Sequence, residues 1–251
     1  MPLRLVAIGD STVEGLEDPG PDGVYIGWAD RFAAHLDAIH PELLYANLAV
    51  RGQTAREVRR TQLRPALALA PDFAVVVAGV NDVLRPRFDR DGLREDLCAM
   101  HAELAATGAR VLTFTMPDMA RVAPLAVALR SRLQFLNSVT FECRDRYGSL
   151  VVDLASVPAA SHPALWHTDR LHANSEGHRR IAAALAEAVG SEVEDWRAQP
   201  PPAPKPSRAR VALFEAAWAG SHLLPWAWEH VRGQSSGEDL TCKRPNLLPV
   251  T

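Results

Sequence analysis

The sequence predicts an α/β fold built on a five-stranded parallel sheet. Five short runs of apolar and β-branched residues, 3–8, 43–48, 73–78, 110–115 and 150–154, recur along the chain. Between them lie longer segments of helical period, the pattern of parallel strands joined by crossover helices. At 251 residues the chain is long enough to bury one sizeable core.

Each element has local reasons to form. The first strand runs from Leu3 to Ile8 and stops at Gly9, followed at once by Asp10 and Ser11. After the second strand, Thr54-Ala55-Arg56-Glu57 has the spacing of a capping box and predicts a helix start. A stripe of Leu93, Leu97, Met100 or His101, and Leu104 predicts a helix ending at Thr107-Gly108. Pro124 suits the first turn of a helix whose apolar face is Leu125, Leu129, Leu133 and Leu136, with a stop at Gly148. The last stripe, Ile181, Leu185 and Val189, precedes Gly190, and Asn174 or Ser175 is expected to cap that helix. His178 then falls in its first turns, as a partly exposed structural residue.

After Trp196 the composition changes, so the principal domain is expected to cover residues 1–197. Residues 198–207, with Pro200, Pro201, Pro202, Pro204 and Pro206, form a stiff proline-rich linker. Residues 208–251 are expected to be an extension with a short helix over 209–219 and a polar tail. Its tryptophans, Trp218, Trp226 and Trp228, are expected to pack on the domain's own surface, with a partner surface, a lid or a membrane-contacting patch as the alternatives.

A hydrophobic fraction of 47%, a charged fraction of 23% and a net charge of −3 give no attraction to polyanions, so no nucleic-acid partner is expected. Cys98, Cys143 and Cys242 are an odd number without Cys-x-x-Cys spacing, which reads as reduced structural thiols. The N-terminus lacks the features of a signal peptide, and no apolar stretch approaches the roughly 20 residues that span a bilayer. No transmembrane segment and a cytoplasmic location are expected.

Chemistry enters through topology. Five parallel strands most simply take the flavodoxin-like order 2-1-3-4-5, and ligands bind outside the carboxyl ends of such strands where the order reverses. The first strand then lies between the second and third, so the loops bearing Ser11, Gly52 and Asn81 become neighbours. Acyl transfer needs a nucleophile, a base, a group that orients the base, and donors to the oxyanion. Ser11 can attack, His172 can take its proton, and Asp169, three residues earlier, can orient the imidazole. The N–H groups of Ser11 and Gly52 and the amide of Asn81 can form the oxyanion hole. Asp10 and Asp82 are read as supporting residues that brace their loops.

Other readings compete. His162, His167, His172 and His178 raise the question of zinc, but neither a His-Glu-x-x-His pattern nor a nearby cysteine accompanies them, and no metal or cofactor is expected. Gly9 to Gly15 could cradle a phosphate, yet it lacks the Gly-x-x-x-x-Gly-Lys pattern.

Gly-Asp-Ser at 9–11, the isolated Gly52, Gly-Val-Asn-Asp at 79–82 and Asp-Arg-Leu-His at 169–172 occur in one order. In this the chain resembles the SGNH or GDSL-like serine hydrolases over roughly its first 190 residues. The resemblance implies a three-layer α/β/α sandwich, metal-independent hydrolysis of a carboxylic ester, and the roles given above for Ser11, Gly52, Asn81, Asp169 and His172. Thr12 stands where the family's Gly-Asp-Ser-Leu block has leucine. A small-molecule ester, with a short acyl or acetyl group, is the expected substrate. The alternatives are acyl transfer or thioester cleavage at the same site, and a non-catalytic binding or scaffold protein.

Overall fold

The structure, a computed structural model, describes residues 2–201 and 241–250. Leu5, Val6, Ala7 and Ile8 of β1 (Arg4–Gly9) are each no more than 1% exposed, so both faces of this strand are covered. A strand without polar alternation belongs in the middle of a parallel sheet with helices on either side. β2 (Leu44–Asn47), β3 (Phe73–Val77), β4 (Arg110–Phe114) and β5 (Leu150–Val152) follow, within a few residues of the expected runs. β1 pairs in parallel with β2, Arg4 opposite Leu44, and with β3, Leu5 opposite Phe73. β4 and β5 continue outward from β3, so the order of these five is 2-1-3-4-5.

The helices divide between the two faces. α1 (Ser11–Glu14) is a single turn directly after β1, and α2 (Gly27–Ile39) packs against β1 and β2. On the opposite face, α3 (Ala55–Val58) runs through a π-helical turn, Arg59–Leu63, into α4 (Arg64–Ala68). α5 (Val80–Leu84) starts at the end of β3, and α6 (Arg90–Ala106) and α7 (Arg130–Tyr147) complete that layer. α8 (Ser175–Ala188) returns to lie beside α2. The core is therefore two apolar layers. Trp28 and Phe32 of α2 and Leu185 of α8 fill one, and Leu93, Met100 and Leu104 of α6 with Leu136 of α7 fill the other. Trp28 meets Phe114 edge to face at 5.3 Å between ring centroids.

Most predicted helix ends hold. Thr54 and Glu57 form the reciprocal capping box, Asn174 caps α8 through Gly177 N–H, and α7 stops at Gly148. The helix expected from Pro124 begins differently: Pro124–Leu129 winds as a 3₁₀ segment, and the α-helical ladder starts only at Arg130.

The expected sheet of five parallel strands is extended by a sixth. β6 (Arg244–Pro249) lies antiparallel on the outer edge of β2, Tyr45 opposite Leu248, so the sheet is mixed. This strand comes from the region expected to be a polar tail. Two prolines conceal it in the sequence, and an edge strand, with one side free of ladder bonds, tolerates them. The predicted helix over 209–219, most of the linker, and Trp218, Trp226 and Trp228 lie outside the described residues. Among the described residues no helix is long and apolar enough to cross a membrane.

Lys243 fastens β6 to the body of the protein. Its ammonium donates to the carbonyls of Tyr25 and Ile26, both at 2.8 Å, and pairs with Asp30 at 3.0 Å, with 13% of the side chain exposed. Burial pulls its pKa down, and Asp30 opposes that shift. Lys243→Met should cost about 2–4 kcal/mol, because two carbonyls and a carboxylate lose a nearly buried donor. Thermal unfolding should show Tm falling by roughly 4–16 °C; an unchanged Tm would mean that β6 is held by its ladder alone.

Candidate active site

Ser11 is the first residue of α1, and the turn that presents it is locally determined. The Asp10 carboxylate accepts from Thr12 N–H at 2.9 Å as the helix cap, which fixes the corner between β1 and α1. Asp10 and Ser11 are 1% and 9% exposed. From the far end of the sheet, the loop ahead of α8 brings His172 to Ser11, with Nε2 2.9 Å from the serine Oγ. His172 Nδ1 lies 2.6 Å from Asp169 Oδ2. The carboxylate neighbour assigns the proton to Nδ1, which leaves Nε2 as the acceptor for the Ser11 hydroxyl.

Asp169 is held in turn by its own loop. Its Oδ1 accepts from the N–H groups of Leu171 and His172 at 3.0 and 3.1 Å. Burial opposes ionisation of this carboxyl, but the hydrogen bond and charge of His172 and the two backbone donors outweigh it and hold the pKa at about 2. Asp169 is thus a carboxylate at neutral pH.

Strand order brings Gly52 and Asn81 beside this group. Gly52 has φ of +78°, a left-handed conformation that favours glycine, and its loop is tied to α1 by Arg51, whose N–H donates to Glu14 at 3.0 Å and whose guanidinium pairs with the same carboxylate. Among the described residues, neither Ser11 N–H nor Gly52 N–H donates to a protein acceptor. The Asn81 amide donates to Gln53 O at 2.9 Å and reaches Asp10 Oδ2 only at 3.4 Å, a weak bond that leaves one hydrogen available to a better acceptor. Asp82 accepts from Ala55 N–H at 2.9 Å and so joins α5 to the start of α3.

Two supports were not anticipated. Gln62, in the π-helical turn, is 3% exposed; it accepts from Gly9 N–H and donates to Gly9 O, both at 2.8 Å, completing the backbone bonds of the residue where β1 ends. A polar residue on the buried side of a helix was its only trace in the sequence. Asn47 donates to Val13 O at 3.0 Å and accepts from Ala49 N–H, binding the β2 end to α1.

His178 corrects an expectation. It is structural but 1% exposed, rather than partly exposed. Nδ1 accepts from Trp28 N–H at 3.1 Å and Nε2 donates to Leu16 O at 2.9 Å, so the neutral ring fastens α8 to the segments around Ser11. Burial lowers its pKa to about 4. The four histidines weighed as zinc ligands do not assemble: His162 accepts from Ala164 N–H, while His172 and His178 are engaged as above. His167 instead meets Glu17 at 3.3 Å and Asp169 at 3.8 Å; these three are the one grouping of metal-ligating type among the described residues.

A parallel sheet wrapped by helices, with a hydrogen-bonded Ser-His-Asp chain at its carboxyl edge, defines a serine hydrolase of the α/β/α class. The model of the GDSL-like lipase/acylhydrolase family matches residues 7–180. The chain belongs to that family, and it is a carboxylic ester hydrolase. An acetylxylan esterase of Geobacillus stearothermophilus is 25% identical over 209 residues, covering 75% of this chain and 94% of that one. Among solved structures, an α/β-hydrolase enzyme from the metagenome of Lake Arreo, Spain, is 26% identical with a TM-score of 0.63, covering 76% of this chain and 97% of its own. The crystal structure of TesA, at 20% identity and a TM-score of 0.61, covers 74% of this chain and 98% of its own and shares the fold.

Two buried groups give opposite pH dependences. His178, with a pKa below its ordinary 6.5, withdraws stability as pH falls from about 6.5 towards 4. Asp10, which burial raises from 3.8 to about 6 against the hydrogen bond from Thr12, withdraws stability as pH rises through the same range. Asp10→Asn should therefore make Tm climb more steeply between about pH 4 and 6 than in the parent protein. Unchanged steepness in calorimetry would refute the Asp10 shift. His178→Ala strands two buried backbone groups and should cost about 2–4 kcal/mol, read as a lower urea midpoint.

Proposed function

We propose that Ser11 is the nucleophile, His172 the general base and then acid, and Asp169 the residue that orients it. The observation that carries this reading is the continuous chain from Ser11 Oγ through the His172 ring to Asp169, at 2.9 and 2.6 Å. Ser11 Oγ attacks the ester carbonyl as Nε2 takes its proton. The resulting oxyanion is received by the N–H groups of Ser11 and Gly52 and by Asn81 Nδ2. Nε2 then protonates the departing alcohol, leaving an acyl-enzyme, and water activated by the same nitrogen releases the acid and restores Ser11.

Asp10 and Asp82 serve as supports. Asp10 holds the Ser11 turn, and Asp82 the Asn81 helix. The substrate is a small-molecule carboxylic ester; a relative named as an acetylxylan esterase supports this class. A cytoplasmic location fits three free thiols, two of them buried.

Ser11→Ala should retain the parent Tm within a few degrees and lose nearly all turnover of a p-nitrophenyl ester. Asn81→Ala should lower kcat by about a hundred- to thousand-fold, the scale of one oxyanion donor, and Asp169→Asn should also lower kcat by disturbing the tautomer. Full activity in Ser11→Ala would remove the nucleophile from this assignment.

A further inference from the structure

Beside Ser11 a pocket opens along the carboxyl ends of β4 and β5. Asp10, Ser11, Asn81 and His172 line it together with the apolar side chains of Phe114, Met116, Leu154, Leu165, Ile181 and Trp196. Most other polar groups of the lining are bonded within the protein. Both nitrogens of His178 are bonded to Trp28 and Leu16. Arg180 donates to Glu176 at 2.7 Å and to the carbonyls of Trp196 and Ala198. The indole N–H of Trp166 is given to Ala160 O, and that of Trp196 to Glu187. A sugar hydroxyl entering here would lose its water and gain no partner, which costs about 1–3 kcal/mol for each group.

The depth can be read along α8. Gly177 and Ile181 both line the pocket, and residues four apart on a helix are separated by about 6 Å. Gly177 lets the Leu165 segment press onto the helix, since a Cβ there would stand 2.2 Å from Leu165 O. The pocket thus runs at least one helical turn along α8, and Trp196, which is 5% exposed, is part of its lining. An acetyl methyl, one bond from the carbonyl carbon, leaves this space unfilled. An apolar pocket beside Ser11 suits the group that stays on Ser11 while the alcohol leaves and water arrives.

We propose that this pocket holds a straight apolar acyl chain, so that the enzyme prefers hexanoyl to decanoyl esters over acetyl esters. The proposal rests on the acyl-enzyme reading of Ser11. The chemistry is hydrolysis: the acyl–oxygen bond of the ester breaks, water supplies the new oxygen, and a medium-chain carboxylic acid and an alcohol are released. Each methylene buried in the pocket contributes about a fourfold gain in kcat/KM, until the pocket is filled.

The test is a p-nitrophenyl ester series from acetyl to dodecanoyl, with Ser11→Ala as the blank. The expected profile rises about fourfold per methylene to hexanoyl or octanoyl and falls by dodecanoyl. Ile181→Trp should lower the octanoyl-to-acetyl ratio of kcat/KM at least tenfold. Inactivation of the parent protein by p-nitrophenyl heptylphosphonate against its methylphosphonate counterpart compares the same two chain lengths without relying on a variant's folding. A flat or falling series that vanishes in Ser11→Ala would overturn the pocket assignment while keeping the nucleophile. So would a chain-length dependence found only among acetate esters of longer alcohols. Activity persisting in Ser11→Ala would instead overturn the reading beneath it.

Discussion

A largely parallel sheet covered by helices on both faces leaves its strand ends as the place where chain and solvent meet, and in this protein the Ser11–His172–Asp169 chain lies at one of those ends. β1 sits between β2 and β3, so the three loops that leave their carboxyl ends cannot diverge far before they touch. Ser11, Gly52 and Asn81 are neighbours for that reason. The burial of β1 on both sides makes its register with β2 and β3 costly to shift, and precision at Ser11 derives from packing well below it. Gln62 and Asn47 extend the same constraint into hydrogen bonds, fixing the ends of β1 and β2 from opposite sides of the sheet.

Two histidines close together in sequence illustrate how surroundings divide one side chain into two tasks. His178 is bonded on both nitrogens to backbone groups and is held neutral by burial. His172 faces a carboxylate on one side and a hydroxyl on the other, so a proton gained at Nε2 has a counter-charge at hand. Asp10 and Asp169 divide similarly. Burial makes the first reluctant to ionise, whereas contact with His172 and two N–H donors favours the anion of the second.

How much of this was legible in the sequence follows from the range of the interactions concerned. Strands β1 to β5, the capping box at Thr54 and the stop at Gly148 depend on local periodicity and turn chemistry, and they were readable. The motif blocks at Ser11, Gly52 and Asn81 lie just after strand ends, whereas Asp169 and His172 sit in the loop ahead of α8. Gln62 was hidden because its partner, Gly9, lies 53 residues away and no local pattern links them. His178 was misjudged in exposure because its burial depends on α2, which packs beside α8 only in the folded chain. The acyl pocket draws on loops after β4 and β5 and on Trp196, whose shared direction is a tertiary property.

β6 alters the history of the molecule as well as its outline. The outer edge of β2 carries unpaired backbone donors and acceptors until Arg244–Pro249 arrives to cover it. During synthesis β2 is made before its cover, so the growing chain carries an open strand edge until Arg244–Pro249 follows. That interval, rather than the finished fold, is when one copy is most exposed to pairing with another.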